Sequence, residues 1–429
     1  MHIKDFDPYD FSTNKVEGVT VYYKNLPWSP SINIRLVINT AGFNDPKGKE
    51  GLSHFLEHMI FNGSPLLENK KIIREWSKKN TLNSFNAWTS FYNTAFTLRT
   101  LPENFSATLE GLMDVVFNPL LRPEDVEHER KVITQEAWGR FQNEKFLVYS
   151  KKSLEIMYPG HSHKHIYSPL GWPETIQKIS QEDIALWHKN NFVKENMFVI
   201  MTGAVEAAHI EALSTYFKTI PVRSESIPIV SKTIKESFLP PTTPKTTVSA
   251  DEIGEVKEQV EISFVRIGEH LDLEKHDTYM LFKRLMHDIL NERLRIDHSL
   301  CYGVSVVMNN EKTYSMSGVN VMTEEKNIEL VQKEFWNIIE ELKTPLHKDR
   351  FESLKQIDLE QTKSAELMSE QIANDMVKEL FKFNGRMTTL QEQINYIQKT
   401  TFDDMQKIAV WAFDPMFLYT EIILPSKKD

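Results

Sequence analysis

The residues best spaced to do chemistry lie in His54-Phe55-Leu56-Glu57-His58. Two histidines four residues apart on a helix leave the same face about one turn apart and can bind one ion. Glu57 stands beside them. A catalytic zinc site takes three protein ligands and keeps one position for water, whose acidity rises until a nearby carboxylate can accept its proton. One ligand is therefore missing from the pentapeptide. The segment VEHERKVITQEAWGRF supplies it best, because Glu129 and Glu136 are seven residues apart and share a helix face over two turns. We take Glu136 as the ligand and Glu129 as an outer acceptor that orients a histidine or the ligand helix. Spacing alone allows the two roles to be exchanged. The expected metal is zinc, one ion per chain, since two imidazoles and a carboxylate suit it. With 14 histidines in the chain, close neighbours are unsurprising, yet only roughly 0.04 chance matches to HxxEH are expected in such a length.

The elements around these residues follow from pattern. Leu52, Phe55, Leu56, Met59 and Ile60 recur at helix spacing, with Gly63 as a stop. Residues 17–40 read as strands, and AGFNDPKGKEG between them and the helix reads as a loop. A helix over 68–79 leads into SFNAWTSFYNTAFTLRTL, read as a strand, a turn near Tyr92-Asn93 and a second strand. Helices are expected at about 103–117 and 123–145. After residue 248 the order recurs: a strand at VEISFVRI, a helix over about 273–294, strands in CYGVSVVMNN and TYSMSGVNVM, then two helices. NTAFTLRTLPENFSATLEGLMDVVFNPLLRPEDVEHERKVITQE can be laid over TYSMSGVNVMTEEKNIELVQKEFWNIIEELKTPLHKDRFESLKQIDLE with little change of spacing. This points to duplication of one α+β domain.

A chain of 429 residues with 41% hydrophobic residues can bury two ordinary cores. We expect a zinc-binding domain over 1–221, a semi-rigid linker over 222–248, rich in Pro, Ser and Thr, and a homologous domain over 249–429. The 60 acidic and 50 basic residues give a net charge of −10 without long runs of either sign, which argues against nucleic acid or anionic membrane as the main partner. The start has no signal-like pattern, and the single cysteine, Cys301, forms no internal disulfide and no cysteine metal cluster. The simplest expected compartment is the cytoplasm.

NTAGFNDPKGKEGLSHFLEHMIFNGS, then NSFNAWTS, then ERKVITQE together resemble the pitrilysin/insulinase family of zinc peptidases, which includes the mitochondrial processing peptidases. The resemblance runs along nearly the whole chain and implies homologous α+β domains, each a mainly antiparallel sheet packed with helices. It makes His54, His58 and Glu136 the zinc ligands, Glu57 the general base and Glu129 the acidic neighbour below them. It places Asn86, Ala87 and Trp88 on an edge strand that aligns an extended peptide by backbone pairing, a mode largely indifferent to sequence. LRIDHSLCYGVSV resembles the family's Arg-to-Tyr element, so Arg295 and Tyr302 are expected to hold the substrate and polarise its carbonyl. Ser299-Leu300-Cys301 departs from it where a glycine often opens the loop. A purely structural alternative has Arg295 in a surface ion pair and Tyr302 in the core.

Relatives enclose the site with four such domains, so two domains imply a partner. A homodimer in which each subunit completes the other's site is the economical expectation, and a heterodimer with a related subunit is the variant. The expected substrates are peptides or unfolded segments. The rivals are a non-catalytic scaffold subunit and a maturation protease dedicated to one peptide. His161, His163 and His165 alternate in a tract that can bind metal, adventitiously more readily than functionally.

Overall fold

The computed structural model describes residues 6–162, 168–223, 236–364, 368–383 and 385–427. The first half contains strands β1 (Ser12–Val16), β2 (Val19–Asn25), β3 (Ile32–Ile38), β4 (Asn86–Thr89), β5 (Thr94–Thr100) and β6 (Met197–Gly203). Its helices are α1 (Leu52–Ile60), α2 (Lys70–Asn80), α3 (Phe105–Phe117), α4 (Pro123–Phe141), α5 (Glu144–Met157), α6 (Pro173–Ile176), α7 (Gln181–Asn191) and α8 (Ala207–Phe217). The second half contains β7 (Lys245–Ser249), β8 (Val260–Gly268), β9 (Cys301–Asn310), β10 (Ser315–Thr323) and β11 (Leu418–Leu424). Its helices are α9 (Leu273–Leu290), α10 (Ile328–Leu342), α11 (Lys348–Ser364), α12 (Ser369–Lys382), α13 (Leu390–Lys399) and α14 (Phe402–Ala412).

Six strands form one sheet in the order β1-β2-β6-β3-β5-β4, and five form the other in the order β7-β11-β8-β10-β9. The orders superpose strand for strand from β2 and β7 onward. Even the single parallel pair recurs, as β2 with β6 and β7 with β11, while the other neighbours run antiparallel. The fold is thus α+β with two homologous, mainly antiparallel domains, and the duplication read from the sequence is present as structure.

Both faces of the first sheet are covered. Ile32, Ile34, Leu36 and Ile38 alternate into a core with α1, α3 and α4, while Val37 joins Ile372, Met376 and Leu380 of α12 on the other face. Asn33 and Arg35 share that second face, where Asn33 donates to Ser369 (2.8 Å) and Arg35 to Asn374 (3.0 Å). The partners explain how a fully buried arginine is tolerated in a strand interior, since a buried polar group needs hydrogen bonds. The second sheet receives the counterpart helix, α5, against Ile267, Tyr314 and Ile423, with Tyr149 donating to Glu421 (2.6 Å).

Three expectations shift in detail. The helix expected over 123–145 is two, because Gln142 takes φ +59° and Asn143 then caps α5 by accepting from the Phe146 N–H. The helix expected to reach 294 changes to a π-helical turn over Asn291–Asp297. Within the segment expected to link the domains, 224–235 lie outside the described residues, Glu236 accepts from the Ser162 backbone and hydroxyl, and Lys245 already begins β7.

Candidate metal centre

Helix α1 is built to be placed accurately. Leu52, Phe55, Leu56, Met59 and Ile60 are buried in the first core, so the helix cannot roll. Its first residue follows Gly51, which has no side chain to cap the free N–H groups and sits at φ +98° with backbone so close that a Cβ would meet the Leu170 carbonyl at 2.5 Å. Asp45 caps the helix from the preceding loop instead: its carboxylate accepts from the Gly51 N–H (2.8 Å), the Ser53 N–H (3.0 Å) and the Ser53 hydroxyl (2.6 Å). Trp187 of α7 donates to the same hydroxyl (3.1 Å). Burial drives the Asp45 carboxyl up to about 7.

His54 and His58 leave one face of α1 with ring centroids 4.6 Å apart. Helix α4 packs across that face and brings Glu136 to them: its Oε2 lies 3.8 Å from His54 Nε2 and 3.6 Å from His58 Nε2. The three donor atoms lie within 4.8 Å of one another, the one such group of metal-ligating side chains among the described residues. Ligands about 2.1 Å from a tetrahedral zinc stand roughly 3.4 Å apart, so the donor set and spacing fit that ion. His54 Nδ1 is buried without a hydrogen-bond partner. Burial, with the charge of His58, lowers the His54 pKa to about 3 in the metal-free protein, keeping the ring neutral as a ligand must be.

Glu129 lies one face below, fully buried, and accepts from His58 Nδ1 (3.1 Å) and from the Lys70 ammonium. This fixes the His58 tautomer that points Nε2 at Glu136, an arrangement that raises ligand basicity. Burial alone would raise Glu129, but the bonds from His58 and Lys70 hold its carboxyl down at about 2. Burial alone would lower His58; the bond to Glu129 and the charges of Glu136 and Glu57 raise it overall. Spacing left the two glutamates interchangeable; in the structure Glu136 faces both imidazoles and Glu129 sits behind one.

Glu57 points along the same face, and the Thr89 hydroxyl at the end of β4 donates to it (2.6 Å). Burial raises its pKa, against the opposing effects of Thr89 and His58. The β4 strand is the edge of its sheet. Alternation puts Ala87 with Thr89 toward α1, and directs Trp88 to the opposite face, against the core formed with α12. Asn86 is exposed.

Arg295 and Tyr302 belong to the second sheet. Arg295 is exposed on the π-helical turn, and Tyr302, 56% exposed at the start of β9, donates to Glu324 (3.2 Å). Among the described residues neither bonds to a residue of the metal cluster, Arg295 has no ion pair and Tyr302 is not in the core. Ser299 occupies φ +51°, the left-handed region that glycine enters freely, which accounts for the glycine expected at this loop. His163 and His165 lie outside the described residues, while His161 is buried among Tyr158, Phe238 and Tyr314, 3.7 Å from Glu236.

Sequence reasoning missed Asp45, Lys70 and Thr89, which hold the helix start, Glu129 and Glu57. Thr89 closes the NAWT strand and Lys70 opens a helix after an Asn69 cap, but no spacing ties either to a carboxylate.

Residues 20–169 match the model described as insulinase (peptidase family M16), and residues 178–357 match the peptidase M16 inactive domain. The chain belongs to the insulinase family, M16, of zinc peptidases. It is 29% identical over 202 residues to an uncharacterized zinc protease of Rickettsia bellii, covering 47% of this chain and 48% of the relative. It is 31% identical over 216 residues to a probable zinc protease PqqL of Haemophilus influenzae, covering 48% of this chain and 23% of the relative. The matched stretch thus spans about half or less of these relatives. A protease structure from Helicobacter pylori shares the fold at TM-score 0.81 and 18% identity, covering 98% of this chain and all of that one.

Proposed function

We propose that the chain is a zinc metalloendopeptidase that cuts peptides or unfolded segments, with His54, His58 and Glu136 as ligands and Glu57 as general base. The convergence of two imidazoles and a carboxylate beside a buried second carboxylate carries this reading. When bound there, zinc supplies Lewis acidity toward water and the peptide carbonyl. Glu57 accepts the proton of the attacking water and returns it to the departing amine; its raised pKa brings it closer to the pH at which it must do both. Thr89 holds the carboxylate that makes this transfer, and Glu129 holds His58. The open edge of β4 pairs with the substrate backbone, Asn86 and Ala87 lying next to the scissile bond.

Arg295 and Tyr302 are exposed and make no bond to the chain's own metal cluster, which supports their serving a facing subunit. We therefore propose a homodimer, with a heterodimer as the variant, in which they stabilise the oxyanion of the partner's substrate. A scaffold role is favoured only for the second half, which matches a domain described as inactive. The deciding experiment measures metal per chain and cleavage of a quenched peptide library, with chelator and after zinc is restored. One metal per chain with reversible, chelator-sensitive cleavage is expected. Bound metal with no peptide cut would leave the scaffold reading in its place.

A further inference from the structure

A groove of about 650 Å³ opens beside the metal centre, between α2 and the segment leading into β4. Phe61, Phe85 and Ser84 line it together with Lys70, Arg74 and Lys78. The three cations are four residues apart along α2 and therefore line one face of the helix. Lys70 is engaged by Glu129. Arg74 and Lys78 are exposed, and among the described residues no carboxylate lies within ion-pair distance of either. The helix sequence KKIIREWSKKN carries five basic residues against one acid, Glu75, which does not line the groove, in a chain of net charge −10. An uncompensated positive groove on an acidic protein marks an anionic occupant.

Its position says where such an occupant sits. A peptide added to the edge of β4 passes Thr89, whose hydroxyl holds Glu57, and on leaving the strand beyond Asn86 it meets Phe85 and Ser84, which line the groove. Asn86 and Ala87, beside the scissile bond, stand one to three residues from Phe85 and Ser84, at about 3.3 Å each. We infer that the α2 groove is a specificity subsite in which Arg74 and Lys78 take aspartate or glutamate side chains of the substrate, roughly one to three residues from the scissile bond. The inference rests on the peptidase reading for the run of the peptide, and on the groove's charge for the preference.

The test uses zinc-loaded Glu57→Gln protein and three labelled peptides that share an apolar centre and carry glutamate, glutamine or lysine flanks, read by fluorescence anisotropy. The glutamate peptide is expected to bind about tenfold tighter than the glutamine one, two partly exposed ion pairs being involved. The gap should close at about 0.5 M salt, where screening acts over roughly 4 Å. A double variant, Arg74→Glu with Lys78→Glu, checked for an unchanged Tm, should reverse the order. Equal affinities, no binding of any peptide, or an order unchanged in the double variant would overturn the inference. Wild-type cleavage of the same peptides separates the two readings: cutting without charge preference sinks the subsite alone, and charge-ordered binding without cutting sinks the peptidase alone.

Discussion

The two sheets share strand order and direction, yet the helices that follow β3 and β8 differ. Helix α1 is nine residues long and presents His54, Glu57 and His58 to α4. Helix α9 is twice as long, buries Leu281, Phe282, Leu285, Met286, Ile289 and Leu290, and runs on through a π-helical turn that delivers Arg295. Where Glu129 of α4 holds His58, Asp358 of α11 pairs with Arg284 of α9. The scaffold is thus neutral toward chemistry. Three polar residues on a short, firmly capped helix, with Glu136 of α4, give one copy a group that could hold a metal, while the other offers an apolar helix and an exposed Arg295 and Tyr302.

Removing the base from the first copy should have the largest effect. Glu57→Gln is expected to retain one metal per chain and lose about 10²- to 10⁴-fold in kcat. Retained hydrolysis in metal-replete protein would remove Glu57 from its role. Tyr302→Phe asks whether the second copy contributes. A kcat loss of about 10- to 100-fold with unchanged metal content is expected, and an unchanged kcat would confine the chemistry to the first copy.

Glu129→Gln should weaken zinc binding by about 10- to 100-fold at neutral pH. The pH profile sharpens this. Because Glu129 raises His58, protons compete with zinc as pH falls through the His58 pKa. Without that carboxylate, affinity is lower at neutral pH but the pH below which affinity begins to fall should move down; titration of zinc affinity in both proteins decides, and a bend that does not move contradicts the pairing.

Asp45 tests the cap. Its folded pKa, near 7, lies above the usual carboxylate value, so the native state holds the extra proton between about pH 4 and 7 and stability falls as pH rises through that window. Asp45→Asn should flatten the slope of Tm against pH there; an identical slope would place the titration elsewhere. The smallest change is Ser299→Gly, expected to be neutral or stabilising by up to about 1 kcal/mol through relief of the left-handed backbone. A lower Tm would show that the hydroxyl matters more than φ.

The ligand helix was legible because its apolar stripe and its polar triad share the helical period but lie on different faces of the same nine residues, and the duplication because strand and helix spacings repeat. Spacing found Glu129 and Glu136 as a pair but could not order them, since seven residues fix a face and not a distance; taking Glu136 as the ligand agreed with the resemblance. Asp45, Lys70 and Thr89 were out of reach for another reason. Lys70 and Thr89 act across tertiary contacts and Asp45 through a loop that folds back on the helix start, and each one's own segment reads as an ordinary loop, helix start or strand end. Asn33 and Arg35 in β3 belong with them, because only the presence of α12 makes sense of polar side chains facing inward.

That presence also bears on ancestry. Helices α5 and α12 occupy matching places in the two repeats, and each lies on the sheet of the other. The repeats are therefore not beads on a string but two hands clasping each other's wrists. A gene split between them would hand each product a sheet with one face stripped of its cover, so the pair must be inherited, expressed and unfolded as one.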